Sequence, residues 1–252
     1  MSDATMQALA LQFNLSETSF LFPSEEATRH VRIFTPAYEM AFAGHPTLGS
    51  AHVVGELLGL SNVTLLTGAG VVSVRAQADR WKFQVPKRDG ITTRGTELSH
   101  AALANALGIV EADIIGEPLY VSTGNEQFLV PLASRDAVMR VSPDVTQLKA
   151  HVRTINGRYM AYVFAPDGDG RIVARFFFPT ASGMSEDPGT GSACANLGAY
   201  LQHVGRRGPF TVQVDQGELT GRRCALLLDV GSDGAIFVGG RCVRLGGGTV
   251  TL

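Results

Sequence analysis

Cysteine is scarce in this chain: Cys194, Cys224 and Cys242 are the only three among 252 residues. The count is odd and the spacing fits no metal-ligand pattern, which argues against a disulfide framework and a metal centre and points to a reducing compartment. Long apolar runs are missing as well. No stretch approaches the roughly 18 apolar residues that span a bilayer, and Met1-Ser2-Asp3-Ala4-Thr5 lacks the basic and apolar regions of a signal peptide. A cytoplasmic protein with no membrane partner is expected. Charge of one sign is also absent: Lys plus Arg is 21, Asp plus Glu is 23, and the formal net charge is −2. That excludes the electrostatic footprint of a nucleic-acid binder, so a small molecule is the expected partner.

What the chain does have is apolar residues (45%) and 29 glycines. The core is large enough for one big domain or two ordinary ones. The most organised stretch runs from Phe176 to Leu201. It reads as an apolar strand (Phe176-Phe177-Phe178-Pro179), a polar acidic turn through Glu186-Asp187, a glycine loop (Gly189-Thr190-Gly191-Ser192) and a helix of small residues. Such a loop gathers backbone N–H groups and the positive end of a helix dipole, a natural seat for a carboxylate or phosphate. The first half carries a weaker copy. Arg32-Ile33-Phe34-Thr35-Pro36 is the strand, Tyr38-Glu39 the acidic turn, and Ala43-Gly44-His45-Pro46 the loop that opens a helix. Two copies of an anion-receiving loop suggest two similar halves facing a shared cleft.

Read in order, the pattern predicts a helix over 4–13 capped by Asp3, then strands at 20–22 and 31–35. A helix over 46–58 leads to a three-stranded meander at 62–67, 71–77 and 80–85. The polar segment 87–94 is taken as the crossing between halves. Helices follow near 99–107 and 144–154, strands at 118–122 and 128–131, and a hairpin turning at Asp167-Gly168-Asp169-Gly170. That turn lacks the spacing and terminal Glu of a calcium loop. After a helix over 192–204 come strands at 210–215, 225–230, 235–238 and 249–252. The sum is an α+β chain of two curved, mostly antiparallel sheets, each wrapped on a helix that starts at a glycine loop.

Glu17 follows a helix end and precedes an apolar strand, where partial desolvation suits a carboxyl to proton transfer; a solvated turn glutamate is the alternative. His45, at the mouth of the first loop, can donate to a substrate or shuttle a proton, or simply cap the helix. Asp187 and Ser192 flank the second loop and are also favoured cap types. Gly191-Ser192-Ala193 is not a nucleophile elbow, and the glycines do not follow the dinucleotide fingerprint. Cys194 falls inside the helix and reads as packing.

These residues carry a resemblance. Asn14-Leu15-Ser16-Glu17-Thr18, Arg32-Ile33-Phe34-Thr35-Pro36, Phe42-Ala43-Gly44-His45-Pro46, Glu186-Asp187-Pro188-Gly189-Thr190-Gly191-Ser192-Ala193 and the closing Gly246-Gly247-Gly248-Thr249-Val250 resemble, in order and spacing, the PhzF-like family of phenazine-biosynthesis isomerases. That family shares the diaminopimelate epimerase fold. The resemblance implies a cofactor-free isomerase that moves a proton in a cleft between pseudo-symmetric halves. It implies Glu17 as the single general base and acid, with His45, Asp187 and Ser192 assisting. A substrate carboxylate would lie on the amides of Gly44, His45, Gly191 and Ser192, where fixed donors also stabilise enolate-like charge. The fold's racemases use two cysteines, one opening each loop. Ala43 and Thr190 stand in those places, which disfavours two-cysteine chemistry.

The division expected is 1–97 plus a returning strand within 240–252, and 98–239. The first half is expected to lack the family's opening strand and Gly-Asn loop, which leaves a sheet edge unpaired; the second half keeps Gly124-Asn125. A homodimer is expected. The reading from a different class is a non-catalytic small-acid-binding protein.

Overall fold

The computed structural model describes residues 1–85, 90–168, 170–180 and 183–251. It is α+β, as expected, with long runs of mostly antiparallel strand and few helices. The chain divides into two compact units. One holds Met1–Ala41, Pro46–Lys82 and Gly240–Leu252; the other holds Phe42–His45 and Phe83–Gly239.

In the first unit α1 (Asp3–Phe13) is followed by β1 (Thr18–Phe22), β2 (Arg29–Phe34) and the short β3 (Glu39–Met40). Then come α2 (Gly44–Leu58), whose first two residues count with the other unit, β4 (Asn62–Thr67), β5 (Gly70–Gln77) and β6 (Arg80–Gln84), whose last two residues also count with the other unit. The sheet runs β1-β2-β4-β5-β6, with β3 on β2. Buried Met6 and Ala10 of α1 pack on Phe34, Phe20 and Phe22. Strand β5 alternates as a half-buried strand should, with Val72 and Val74 inside and Val71 and Ser73 outside. Gly55 lets α2 lie against the indole of Trp81, since a Cβ there would stand 2.5 Å from the ring.

The second unit contains β7 (Thr92–Arg94), α3 (His100–Leu107), β8 (Leu119–Ser122), β9 (Gln127–Pro131), α4 (Arg135–Arg140) and α5 (Val145–His151). These are followed by β10 (Ala161–Pro166), β11 (Arg171–Thr180), β12 (Gly183–Asp187), α6 (Gly191–His203), β13 (Phe210–Gln216), β14 (Cys224–Val230) and β15 (Ile236–Arg241), whose last two residues count with the first unit. Its sheet runs β15-β14-β13-β11-β10-β9-β8-β7, with β12 on β11. Both faces of β10 are buried. Ala161, Val163 and Ala165 join the core shared with α3, α4 and α5, while Phe164 meets Tyr200 of α6 edge to face. That double burial explains why this strand is a continuous apolar run.

The internal copy expected from the glycine loops is present in the topology. β1-β2-β3-α2-β4-β5-β6 and β10-β11-β12-α6-β13-β14-β15 follow the same plan. Each opens with an antiparallel pair, turns back in a short strand (β3 or β12), enters a helix, and returns parallel to the second strand (β2 with β4, β11 with β13).

Several local expectations need correction. The cap of α1 is Ser2, whose Oγ accepts from the Thr5 amide at 3.2 Å, while Asp3 sits in the first turn and pairs with Arg32. Both acidic segments read as turns are strands: Glu39 lies on β3 and Glu186 and Asp187 on β12. Arginines on the neighbouring strands drive this, since Arg32 grips Glu39 and Arg175 grips Glu186 across the pairs. Part of the crossing predicted at 87–94 is β7, paired with β8; residues 86–89 lie outside the described set, as do Asp169 of the predicted turn and Leu252. No strand forms over residues 242–251, because the Gly246-Gly247-Gly248 run is exposed and carries no side chains to pack. Helix α4 was not expected: at six residues it is too short to show a helical period.

Candidate active site

Both helices that open at the glycine loops start earlier than periodicity suggests. α2 begins at Gly44 and α6 at Gly191, so His45 and Ser192 stand in first turns. Neither first turn contains an acidic residue that would neutralise the amides. Within the second unit these two starts meet. A Cβ built on Gly44 would lie 3.6 Å from Gly191 Cα, and one built on Gly191 would lie 3.7 Å from Gly44 Cα. Phe83, edge to face with Phe42 at 5.4 Å, backs Gly44; Val238 backs Gly191. The two helix-opening glycines therefore approach closely, with no side chain of their own between their Cα atoms.

The loop before α6 is held by a buried amide. Gln216, 2% exposed on β13, donates from Nε2 to the Asp187 carbonyl at 2.7 Å and to Thr190 Oγ1 at 3.0 Å. Its Oε1 accepts from the Thr190 amide at 3.3 Å. Thr190 Oγ1 in turn donates to the Asp187 carboxylate. Thr190 is the N-cap but makes no side-chain cap bond, because its hydroxyl is used on Asp187. The capping alternative for Asp187 is thus replaced by a hydrogen bond inside the loop. Gly189 packs close to Cys224, where a Cβ would stand 2.9 Å from the sulfur.

Ser192 is held from the other side. Gln127 of β9 donates from Nε2 to Ser192 Oγ at 2.9 Å, and Asn196 of α6 donates to Gln127 Oε1 at 2.8 Å. Asn196 also binds the Gly124-Asn125 loop, accepting from the Thr123 amide and hydroxyl and donating to the Asn125 carbonyl. Cys194 is buried inside α6, and burial pushes its thiol up to about 12, so it stays protonated and packs.

Of the residues expected in the site, Gly44, His45, Asp187, Gly191 and Ser192 all belong to the second unit. His45 is exposed, while Asp187 and Ser192 are half-buried. Glu17 belongs to the first unit, at the entrance of β1 after Asn14 turns the chain in the left-handed conformation (φ 51°). It is half-buried, and its Oε2 is shielded from solvent. Sequence reasoning missed Gln127, Asn196 and Gln216, and read Thr190 only as a substituted cysteine position. A signal was there for Asn196: it is an amide in mid-helix, flanked by alanine, leucine and glycine. Among the described residues, no group of three or more His, Cys, Asp or Glu is arranged to hold a metal ion.

The model of phenazine biosynthesis-like proteins (PhzC-PhzF) matches residues 1–252. The isomerase PM1503 of Pasteurella multocida, itself uncharacterized, is 34% identical over 253 residues, spanning 98% of this chain and 84% of that protein. A solved structure of a predicted epimerase, PA4716 from Pseudomonas aeruginosa, is 28% identical with a TM-score of 0.73, covering 96% of this chain and 86% of that one. A Bacillus anthracis phenazine biosynthesis protein of the PhzF family shares the fold, with a TM-score of 0.80 at 24% identity over 96% of this chain and 86% of that one.

Proposed function

The chain belongs to the phenazine biosynthesis-like (PhzC-PhzF) family, and from that premise we propose that it is a cofactor-independent isomerase acting on a small carboxylated substrate. The observation that carries the reading is the meeting of the Gly44 and Gly191 helix starts. Amides at two N-termini favour an anion by hydrogen bonding and by dipole, and a substrate carboxylate is the guest suited to both. Held there, the carbon next to the carboxylate becomes more acidic, because fixed N–H donors stabilise the charge that appears as the proton leaves. Glu17 takes that proton and returns it at another carbon. His45 and Ser192 orient the substrate by hydrogen bonds, and Asp187 accepts from it. Thr190, already committed to Asp187 and Gln216, is no thiol-like base, which supports one-carboxyl chemistry over a two-base racemisation. The relatives named isomerases and epimerases agree with this class of reaction. A homodimer working in the cytoplasm completes the proposal.

Solvent-deuterium incorporation into a panel of small carboxylic acids tests it, read by mass spectrometry with wild type and Glu17→Gln. Exchange by wild type alone supports the isomerase. Equal exchange by both removes Glu17 from its role, and exchange by neither, with binding intact, favours a small-acid-binding protein.

A further inference from the structure

Asn196 uses its whole hydrogen-bonding capacity. Its Oδ1 accepts from the Thr123 amide and hydroxyl, each at 2.8 Å, and its Nδ2 donates to the Asn125 carbonyl at 2.9 Å and to Gln127 Oε1 at 2.8 Å. It is 0% exposed and Gln127 is 1% exposed, so water does not compete. Two of these partners are backbone atoms with no choice of role. An N–H can only donate and a carbonyl can only accept. The Thr123 amide therefore fixes which end of Asn196 is oxygen, and the Asn125 carbonyl fixes which end is nitrogen. With Asn196 Nδ2 as donor, the facing atom of Gln127 must be its oxygen. Its nitrogen must then face Ser192 Oγ, at 2.9 Å. An amide nitrogen cannot accept, so the Ser192 hydrogen cannot point toward Gln127.

We infer that Gln127 and Asn196 are positioning residues that relay the polarity of the Gly124-Asn125 loop backbone to Ser192 and fix its hydroxyl as a donor directed away from Gln127. The inference rests on the proposed function for what that hydrogen meets: an acceptor oxygen of the bound acid. Its advantage is preorganisation. A free serine hydroxyl rotates among three wells, whereas one already accepting from Gln127 enters binding with its donor direction restricted. The pairing of roles is also useful. Asp187 is held as an acceptor and Ser192 as a donor, so the loop discriminates between the two ends of a ligand carrying both kinds of group.

Joint neutron and X-ray diffraction on deuterated wild-type protein reads the hydrogen directly. Deuterium on Gln127 Nε2 aimed at Ser192 Oγ, with the Ser192 deuterium off that line, is the expected map. A Ser192 deuterium on the line to Gln127 overturns the relay. A second arm follows acetate binding by NMR titration in wild type, Gln127→Glu, Ser192→Ala and the double variant at pH 8. The introduced carboxylate can only accept, so it turns the serine hydrogen inward. Gln127→Glu should then weaken acetate binding roughly tenfold more in the presence of Ser192 than in the Ser192→Ala background. Equal weakening in both backgrounds means the new charge acts on its own, and the relay fails. Failure of wild type to bind acetate counts against the carboxylate seat, while the neutron map still decides the relay.

Discussion

Glycine at a helix start is needed either for conformation or for space, and at Gly44 and Gly191 neither need is internal to the protein. Neither residue is among those with positive φ. A Cβ at Gly44 meets Gly191 Cα and Phe83 Cζ at 3.6 Å, ordinary van der Waals contact, so alanine fits without displacement. Gly44→Ala should therefore leave stability unchanged or raise it by up to about 1 kcal/mol, since alanine restricts the unfolded chain and favours helix. The added methyl, however, stands between the two helix-opening glycines, where the proposed carboxylate would bind. A carboxylate oxygen reaches an amide at about 2.9 Å, a distance the methyl denies it on that side. Losing one hydrogen bond to a charged group costs about 1.5–3 kcal/mol, or roughly ten- to a hundredfold in affinity. Thermal denaturation and a carboxylate titration, run on the same samples, give both numbers. A fall in Tm of several degrees, or an affinity equal to wild type, would refute the claim that these glycines are kept open for a ligand.

Gly198 serves as the contrast: a Cβ there would stand 2.9 Å from Leu228 Cδ1 and 3.1 Å from Ile236 Cγ2, so Gly198→Ala should overpack α6 on β14 and cost about 1–3 kcal/mol by denaturant titration. Gln216→Leu keeps the volume but strips the partners from the Thr190 amide and the Asp187 carbonyl; a loss of about 2–4 kcal/mol is expected, with lowered carboxylate affinity as the loop loosens. Alkaline pH provides another check. Burial raises Cys194 from 9.0 to about 12 and Tyr200 from 10.0 to about 12, and pushes Tyr162 well above its ordinary range. These groups stay neutral folded and ionise unfolded, so the stability they contribute is fully present below about 9 and is lost as pH rises from there through about 12. The slope should reach about 1.4 kcal/mol per pH unit for each group. Cys194→Ala should flatten it, and an unchanged slope would mean the thiol is not the buried group described.

The parts of this molecule that could be read from its sequence are those governed by local rules. The meander of β4, β5 and β6 announced itself through alternating valines and leucines and through the turns at Gly68-Ala69-Gly70 and Asp79. α3 declared both ends, with Ser99 capping it and Gly108 closing it at φ 68°. What escaped were pairings decided at long range. Glu39 and Glu186 look like turn residues until Arg32 and Arg175, seven and eleven positions away, draw them onto neighbouring strands. Gln127 and Asn196 are separated by 69 residues, and Gln216 stands 26 from Thr190; no window of sequence shows that amides so far apart close on the same loop. The distinction has a physical basis. An anion seat needs only backbone amides and a helix start, which a short glycine motif specifies. Fixing what the flanking side chains donate or accept needs buried partners from other strands, and those are supplied by the tertiary fold. The two levels are linked at Thr190, which a short-range reading sees as a substituted cysteine position. In the folded chain its hydroxyl accepts from Gln216 and donates to Asp187, so the residue that stands in a cysteine's place also aligns the acid proposed to bind substrate.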